Sequence, residues 1–281
     1  MSDAAPPILP PLREVIARYG LGARKALGQH FLLDQNLTGR IARAADPLAH
    51  GTVFEIGPGP GGLTRSLLAA GARQVIAIER DRRFLPALQD LQSAYPGRLE
   101  IVEADALAVD PTTLGSTPRQ IVANLPYNVS TPLLLGWLAQ IDAFTSLTLM
   151  FQKEVADRLL AVPRTKDYGR LSVAAQFHCT IKPLFQVPPS AFTPPPQVMS
   201  TVVQLRPRAD RARDIDTRLL ERVAAAAFGQ RRKMLRAALK TMLPQPEPAL
   251  LASGIAPTAR AEELDIDSFC RLTRAVAKII A

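Results

Sequence analysis

Apolar residues along this chain gather into short continuous runs separated by amphipathic or turn-rich stretches. That spacing predicts strands over 52–56, 74–78, 99–102, 120–123 and 146–151. Runs such as Val75-Ile76-Ala77-Ile78 lack polar alternation, the pattern of strands covered on both faces. Strands recurring with helical segments between them favour βαβ units and a parallel sheet. A helix is expected over 12–19, whereas 25–32 keeps neither period and reads as a loop. Beyond Pro188 the segment 188–198 is rich in proline, which holds it extended and rigid, and 201–205 reads as a strand. Helical composition follows, with helices expected over 218–228, 231–242 and 268–280. The predicted organisation is an α/β sheet domain over 1–208 and a small helical domain over 209–281.

Composition narrows the partners. A net charge of +9 and a pI near 10.1 give a positive surface potential that attracts phosphate backbones. Nucleic acid is favoured over a membrane surface, because the basic stretch near Arg231 is too short for an amphipathic membrane helix. No apolar stretch approaches bilayer length, and residues 1–11 lack the basic-then-apolar order of a signal peptide, so a cytoplasmic protein is expected. Cys179 and Cys270 have no metal-ligand spacing and are expected to be reduced and buried; no metal site is expected.

The motif with most chemical content is Asn124-Leu125-Pro126-Tyr127, directly after the apolar run Ile121-Val122-Ala123. Pro126 has no N–H and biases Leu125 away from the helical region, leaving the Leu125 carbonyl to face a ligand beside the Asn124 side-chain carbonyl. Two acceptors then converge on one exocyclic amine, and the Tyr127 ring offers a stacking face. A second motif, Gly57-Pro58-Gly59-Pro60-Gly61-Gly62, closes the first strand and satisfies the glycine spacing of a nucleotide loop. Glu79, 22 residues after Gly57, can accept from ribose hydroxyls. Nicotinamide and adenosyl cofactors both fit this far. Asp105, at the third strand's end, suits an adenine amine, and none of His30, His50 and His178 has the setting of the acid–base residue a NAD enzyme requires. In an open α/β sheet all these strand ends lie along one ligand-binding edge.

Taken together, 25–32, Glu55 to Gly59, Glu79, Asp105, Asn124 to Tyr127, Phe192-Thr193-Pro194-Pro195-Pro196-Gln197-Val198 and Phe228-Gly229-Gln230-Arg231-Arg232-Lys233 resemble the ribosomal RNA adenine N6,N6-dimethyltransferase family, in its bacterial small-subunit (16S) branch. The resemblance covers nearly the whole chain. It implies a class I, Rossmann-like methyltransferase sheet followed by a small C-terminal helical domain, S-adenosyl-L-methionine as cofactor, and two adjacent adenosines in a hairpin loop near the 3′ end of 16S rRNA as substrate. The implied partner is the immature small ribosomal subunit, met by a monomer.

Carried onto this chain, the resemblance assigns cofactor contacts to His30, Leu32, Gly57, Glu79, Asp105 and Asn124. Catalysis falls to Asn124, Leu125, Tyr127 and Phe192, the two rings clamping an extruded adenosine. Arg231, Arg232 and Lys233, at the start of a cationic helix with Arg236 and Lys240, are expected to meet RNA phosphates, with Arg24 and Lys25 near the cofactor mouth. The chain departs from the family pattern at His30, where Asn is expected, at Met199, where Asp is usual, and at Ala237, where Asn is frequent. The rivals are a large-subunit RNA methyltransferase conferring macrolide resistance, an RNA-binding assembly factor with a vestigial site, and a NAD-dependent oxidoreductase.

Overall fold

The computed structural model describes residues 7–24 and 28–280. It divides into a unit of Met1–Lys153 with Lys182–Pro207 and a unit of Glu154–Ile181 with Arg208–Ala281. The first unit runs α1 (Leu12–Arg18), β1 (Phe31–Leu32), α2 (Gln35–Ala44), β2 (Thr52–Ile56), α3 (Gly62–Ala69), β3 (Gln74–Glu79), α4 (Leu85–Ala94), β4 (Leu99–Glu103), β5 (Arg119–Asn124), α5 (Ser130–Ala139) and β6 (Ser146–Gln152). After the second unit's first helices it resumes with β7 (Cys179–Val187), β8 (Phe192–Thr193) and β9 (Ser200–Pro207).

The five strands expected from apolar runs all form. They lie in a seven-stranded sheet of order β4-β3-β2-β5-β6-β9-β7. β2 pairs in parallel with β3 on one side and β5 on the other. Successive strands thus depart from β2 in opposite directions, which opens a crevice above its carboxyl end. β9 runs antiparallel to β6. β7 is absent from the sequence reading because Pro183 and exposed polar residues interrupt its pattern, and the edge of a sheet is where such a strand is tolerated. The core between sheet and helices includes Ile41, Leu67, Val75, Val122 and Val202, all 2% exposed or less. A separate two-stranded pairing of β1 with β8 sets Leu32 opposite Phe192.

The second unit contains α6 (Lys153–Leu160), α7 (Arg170–His178), α8 (Thr217–Gly229), α9 (Leu235–Ala238), α10 (Glu247–Ala252) and α11 (Ile266–Ile280). It differs from the expected domain 209–281 by including 154–181. Tyr168 is fully buried there, its hydroxyl donating to the Leu264 carbonyl at 2.9 Å, and its ring meets Phe228, which stacks on Phe269. A cut made along the sequence cannot register contacts that span 96 residues.

The helix expected over 231–242 is also corrected. Residues 231–234 form a turn, and only Leu235–Ala238 is α-helical. Met234 takes an extended backbone, and the amides of Leu235 and Arg236 donate to the Ala259 and Pro257 carbonyls instead of continuing the ladder from α8. Cys179 and Cys270 are buried thiols, as expected. Among the described residues no helix is long and apolar enough to cross a membrane.

Candidate active site

Where the crevice opens, the carboxyl ends of β2, β3, β4 and β5 deliver Gly57, Glu79, Asp105 and Asn124 to one cavity of about 1140 Å³, its open mouth included. His30, Leu32, Leu125 and Tyr127, also singled out by the sequence, line the same cavity, whereas Phe192 does not; all lie in the first unit.

The glycine loop fits by geometry. Gly57 and Gly59 have φ of +66° and +55°, a region in which side chains are strained, so the loop turns tightly enough for its backbone to line the cavity. A Cβ on Gly62 would lie 2.7 Å from the Leu32 carbonyl oxygen, so glycine is what lets α3 begin against β1.

Four carboxyls line the cavity, those of Glu55, Glu79, Asp81 and Asp105. Glu79 is 7% exposed; one oxygen accepts from the Gly59 N–H at 3.0 Å and the other from the Asp81 N–H at 2.8 Å. Each oxygen keeps a further lone pair for a ligand donor. Burial pushes its pKa up, against the bonds from Asp81 and Gly59. Asp105 accepts from the Leu107 N–H and from Arg80, bonds that hold its pKa down. Arg80 was not foreseen, because a cation beside a strand end carries no distinguishing pattern.

Glu55 is 1% exposed, and its Oε2 has no hydrogen-bond partner among the described residues. Burial, opposed by Thr64 and reinforced by nearby Glu79, pushes its carboxyl up to about 8. The folded protein therefore holds a proton that the unfolded chain releases above about 4.5, so this group lowers stability as pH rises from about 4.5 to 8. Glu55→Gln is expected to remove that slope, with the variant's melting temperature gaining on the parent's toward pH 8. Parallel melting-temperature curves would show that Glu55 ionises as an exposed carboxyl does.

At the end of β5, the Asn124 amide Nδ2 donates to the His30 backbone carbonyl at 3.2 Å. That bond turns Oδ1 into the free acceptor. No hydrogen bond reaches the Leu125 carbonyl among the described residues, while the flanking Pro126 carbonyl is taken by Val129 N–H and the Tyr127 carbonyl by the Ser130 hydroxyl. Tyr127 is held by its hydroxyl, 2.8 Å from Ser200 Oγ, and burial pushes its phenol up, keeping it neutral. Ser200 sits 73 residues away, beyond any local signal.

Phe192 departs from expectation. It is 3% exposed and belongs to the sheet core, not to the cavity wall, so its ring is not an open face of a clamp. Pairing of β8 with β1 turns it inward beside Leu32, and only its edge contact with the His30 ring, 6.4 Å between centroids, reaches the site. Arg231 is partly spent within its own unit, donating to Glu262 and to the Thr165 carbonyl, each at 3.2 Å. Arg232 and Lys233 are exposed. Lys25 lies outside the described residues.

A sheet parallel from β4 to β6 and closed by antiparallel β9, with a switch-point crevice lined by strand-end carboxyls, has the fold of class I methyltransferases. The sequence matches the ribosomal RNA adenine dimethylase family over residues 20–278. The chain belongs to that family and is an rRNA adenine dimethyltransferase. It is 65% identical to the ribosomal RNA small subunit methyltransferase A of Paramagnetospirillum magneticum over 268 residues, 95% of each chain. Among solved structures it resembles a dimethyladenosine transferase from Plasmodium falciparum, with TM-score 0.73 and 27% identity over 86% of this chain and 96% of that one. It also resembles the 23S rRNA methyltransferase ErmE, with TM-score 0.66 and 29% identity over 88% and 99%. Membership in this family sets aside the nicotinamide reading of the glycine loop.

Proposed function

We propose that the protein transfers methyl groups from S-adenosyl-L-methionine to N6 of two adjacent adenosines in the 3′-terminal hairpin loop of small-subunit (16S) rRNA, acting as a monomer in the cytoplasm on the immature subunit. The observation that carries this reading is the Asn124 amide, whose nitrogen is held by the His30 carbonyl so that its oxygen stands free beside the Leu125 carbonyl. Identity of 65% with a small-subunit enzyme, against 29% with ErmE, favours the small-subunit substrate.

The residues present fit the cofactor. The carboxyls of Glu79 and Asp105 offer acceptors to a nucleoside, and the buried Glu55 Oε2, without a partner among the described residues, is a polar atom left for a ligand group. Glu79 would take the ribose hydroxyls, Asp105 the adenine amine, and Gly57, Leu32 and His30 would line the methionine and ribose portions. Bound there, the cofactor supplies an electrophilic methyl group on a sulfonium.

The remaining work belongs to the chain. The N6 lone pair is delocalised into adenine, and acceptance of its two hydrogens by Asn124 Oδ1 and the Leu125 carbonyl would hold the amine pyramidal and aim the lone pair. Tyr127, kept neutral and fixed by Ser200, would stack on the extruded base. Catalysis is then mainly positioning, with no covalent enzyme intermediate.

Arg232 and Lys233 would meet RNA phosphates, with Arg231 contributing less because Glu262 holds it. Changing both to Ala is expected to weaken RNA binding and to flatten the plot of log affinity against log salt by about 0.7–0.9 for each phosphate no longer neutralised. Coincident slopes for variant and parent would place the RNA surface elsewhere.

Mass spectrometry of digested small-subunit RNA after incubation with labelled cofactor tests the whole reading. Two neighbouring dimethyladenosines in the 3′ hairpin are expected. Unmodified RNA, or label appearing in large-subunit RNA instead, would overturn it.

A further inference from the structure

Of the four carboxyls in the cavity wall, three accept hydrogen bonds at both oxygens. Glu79 accepts from the Gly59 and Asp81 N–H groups, Asp81 from Arg83 and Gln29, and Asp105 from the Leu107 N–H and Arg80. Glu55 differs: it is 1% exposed, and its Oε2 has no partner among the described residues. Neither water nor a donor supports a charge there. The register of β2 with β3 sets Glu55 opposite Ala77, and Glu79 follows Ala77 by two residues, so both carboxyls stand on one face of the sheet. A second negative charge would meet the first in a wall shielded from solvent. Geometry thus leaves a proton on Glu55 in the free protein, in keeping with a carboxyl that burial pushes up to about 8.

The arginines of this region are spent elsewhere. Arg80, which lines the cavity, pairs with Asp105 at 2.8 Å, and Arg83 pairs with Asp81. Arg65 of α3 donates to the Pro10 carbonyl at 2.6 Å. Thr64, on the same helix, favours the charged form of Glu55 but carries no charge. His30 and Tyr127 complete the titratable lining; His30 Nδ1 is turned to the Pro194 carbonyl and the Tyr127 hydroxyl to Ser200, each at 2.8 Å. The counter-charge that Glu55 lacks has to come from a ligand.

We propose that Glu55 is an ionisable counter-charge of the cofactor site, protonated in the free protein and losing its proton as S-adenosyl-L-methionine binds. This rests on the function proposed above. The cofactor brings a sulfonium and an ammonium against a single carboxylate, a net positive charge. Glu55 lies two residues before Gly57, whose loop lines the same cavity. On binding, the Glu55 O–H bond breaks, its electron pair stays on the carboxylate oxygen, and the proton leaves to the buffer. No bond of the cofactor changes. A buried carboxylate with a cation against it is tolerated where a lone one is not. Cofactor affinity therefore climbs with pH and levels off above about 8, where Glu55 is already ionised in the free protein.

Titration calorimetry of the free enzyme with S-adenosylmethionine, in two buffers of different ionisation enthalpy, reads the protons exchanged. At about pH 7, release of about one proton per cofactor bound is expected. Affinity should rise about tenfold per unit between about pH 6 and 7. In that window the cofactor's own amine stays charged, since α-amino groups titrate at about 7.7–8.0. Glu55→Gln keeps the shape and has no proton to lose, so it should bind without that release and with an affinity changing less than about twofold across the window. Binding by the parent without proton release would mean that Glu55 stays neutral, and overturns the proposal alone. The same release by Glu55→Gln assigns the proton to another group and overturns it equally. If the variant does not bind, infrared difference spectra of the parent decide: the carbonyl stretch of a protonated carboxyl is expected to vanish on adding the cofactor, and its persistence overturns the proposal. A parent that binds no S-adenosylmethionine overturns the proposed function and this step with it.

Discussion

Asn124→Ala is expected to lower single-turnover methyl transfer by about 10²–10³-fold, the loss seen when one preorganised polar group aimed at a reacting centre is removed, or about 2.7–4 kcal/mol. The reason lies in the side chain's two ends. Nδ2 donates to the His30 carbonyl, and this bond presents Oδ1 to the substrate amine. Truncation removes the acceptor and also releases the β1 segment from β5. Cofactor affinity, spread over Glu79, Asp105 and the glycine loop, should change much less, and calorimetry beside the rate measurement separates the two. An activity within about tenfold of the parent, or equal losses in rate and affinity, would take Asn124 out of the catalytic role. Asn124→Asp makes a sharper companion: it keeps an acceptor but loses the donor to His30, so its rate should also collapse.

The second large effect is on stability. Phe192→Ala is expected to cost the sheet unit about 3–5 kcal/mol, the range for deleting a buried aromatic ring. At 3% exposure the ring belongs to the same buried cluster as Leu32, Val187 and Val202, so its truncation leaves a hole in that cluster. Urea unfolding followed by circular dichroism should show an earlier midpoint with a similar slope. A base-stacking platform would behave in the opposite way, sparing stability and reducing turnover only. An unchanged midpoint would return Phe192 to the clamp.

Strand positions were legible because the strands carry short, mostly apolar runs, unbroken in Val75-Ile76-Ala77-Ile78 and Ile121-Val122-Ala123, the pattern of strands buried on both faces. Thr52–Ile56 forms at the expected bounds. The remaining core strands extend from their runs by a residue or so, and α8 and α11 extend the expected helices by one or two residues at an end. β7 was not legible, since an edge strand containing Pro183 and Lys182 has neither a buried run nor clean alternation. The break after α8 escaped for a related reason: residues 231–242 have helical composition, but carbonyls from the 256–259 loop capture the amides that would extend a helix.

At the site, the sequence by itself determined which chemical groups gather at one edge. Gly57, Glu79, Asp105 and Asn124 each end a strand of a parallel sheet, and such strands point their carboxyl ends the same way. What each group faces was decided only by tertiary structure. Phe192 turns inward because β8 pairs with β1 across 160 residues of chain; Arg231 is held by Glu262; and His30 acquires a defined tautomer from the Pro194 carbonyl, 164 residues away. Periodicity reports burial along one element. Orientation, pairing and protonation depend on atoms brought close from distant segments, and those contacts exist only once the chain has folded.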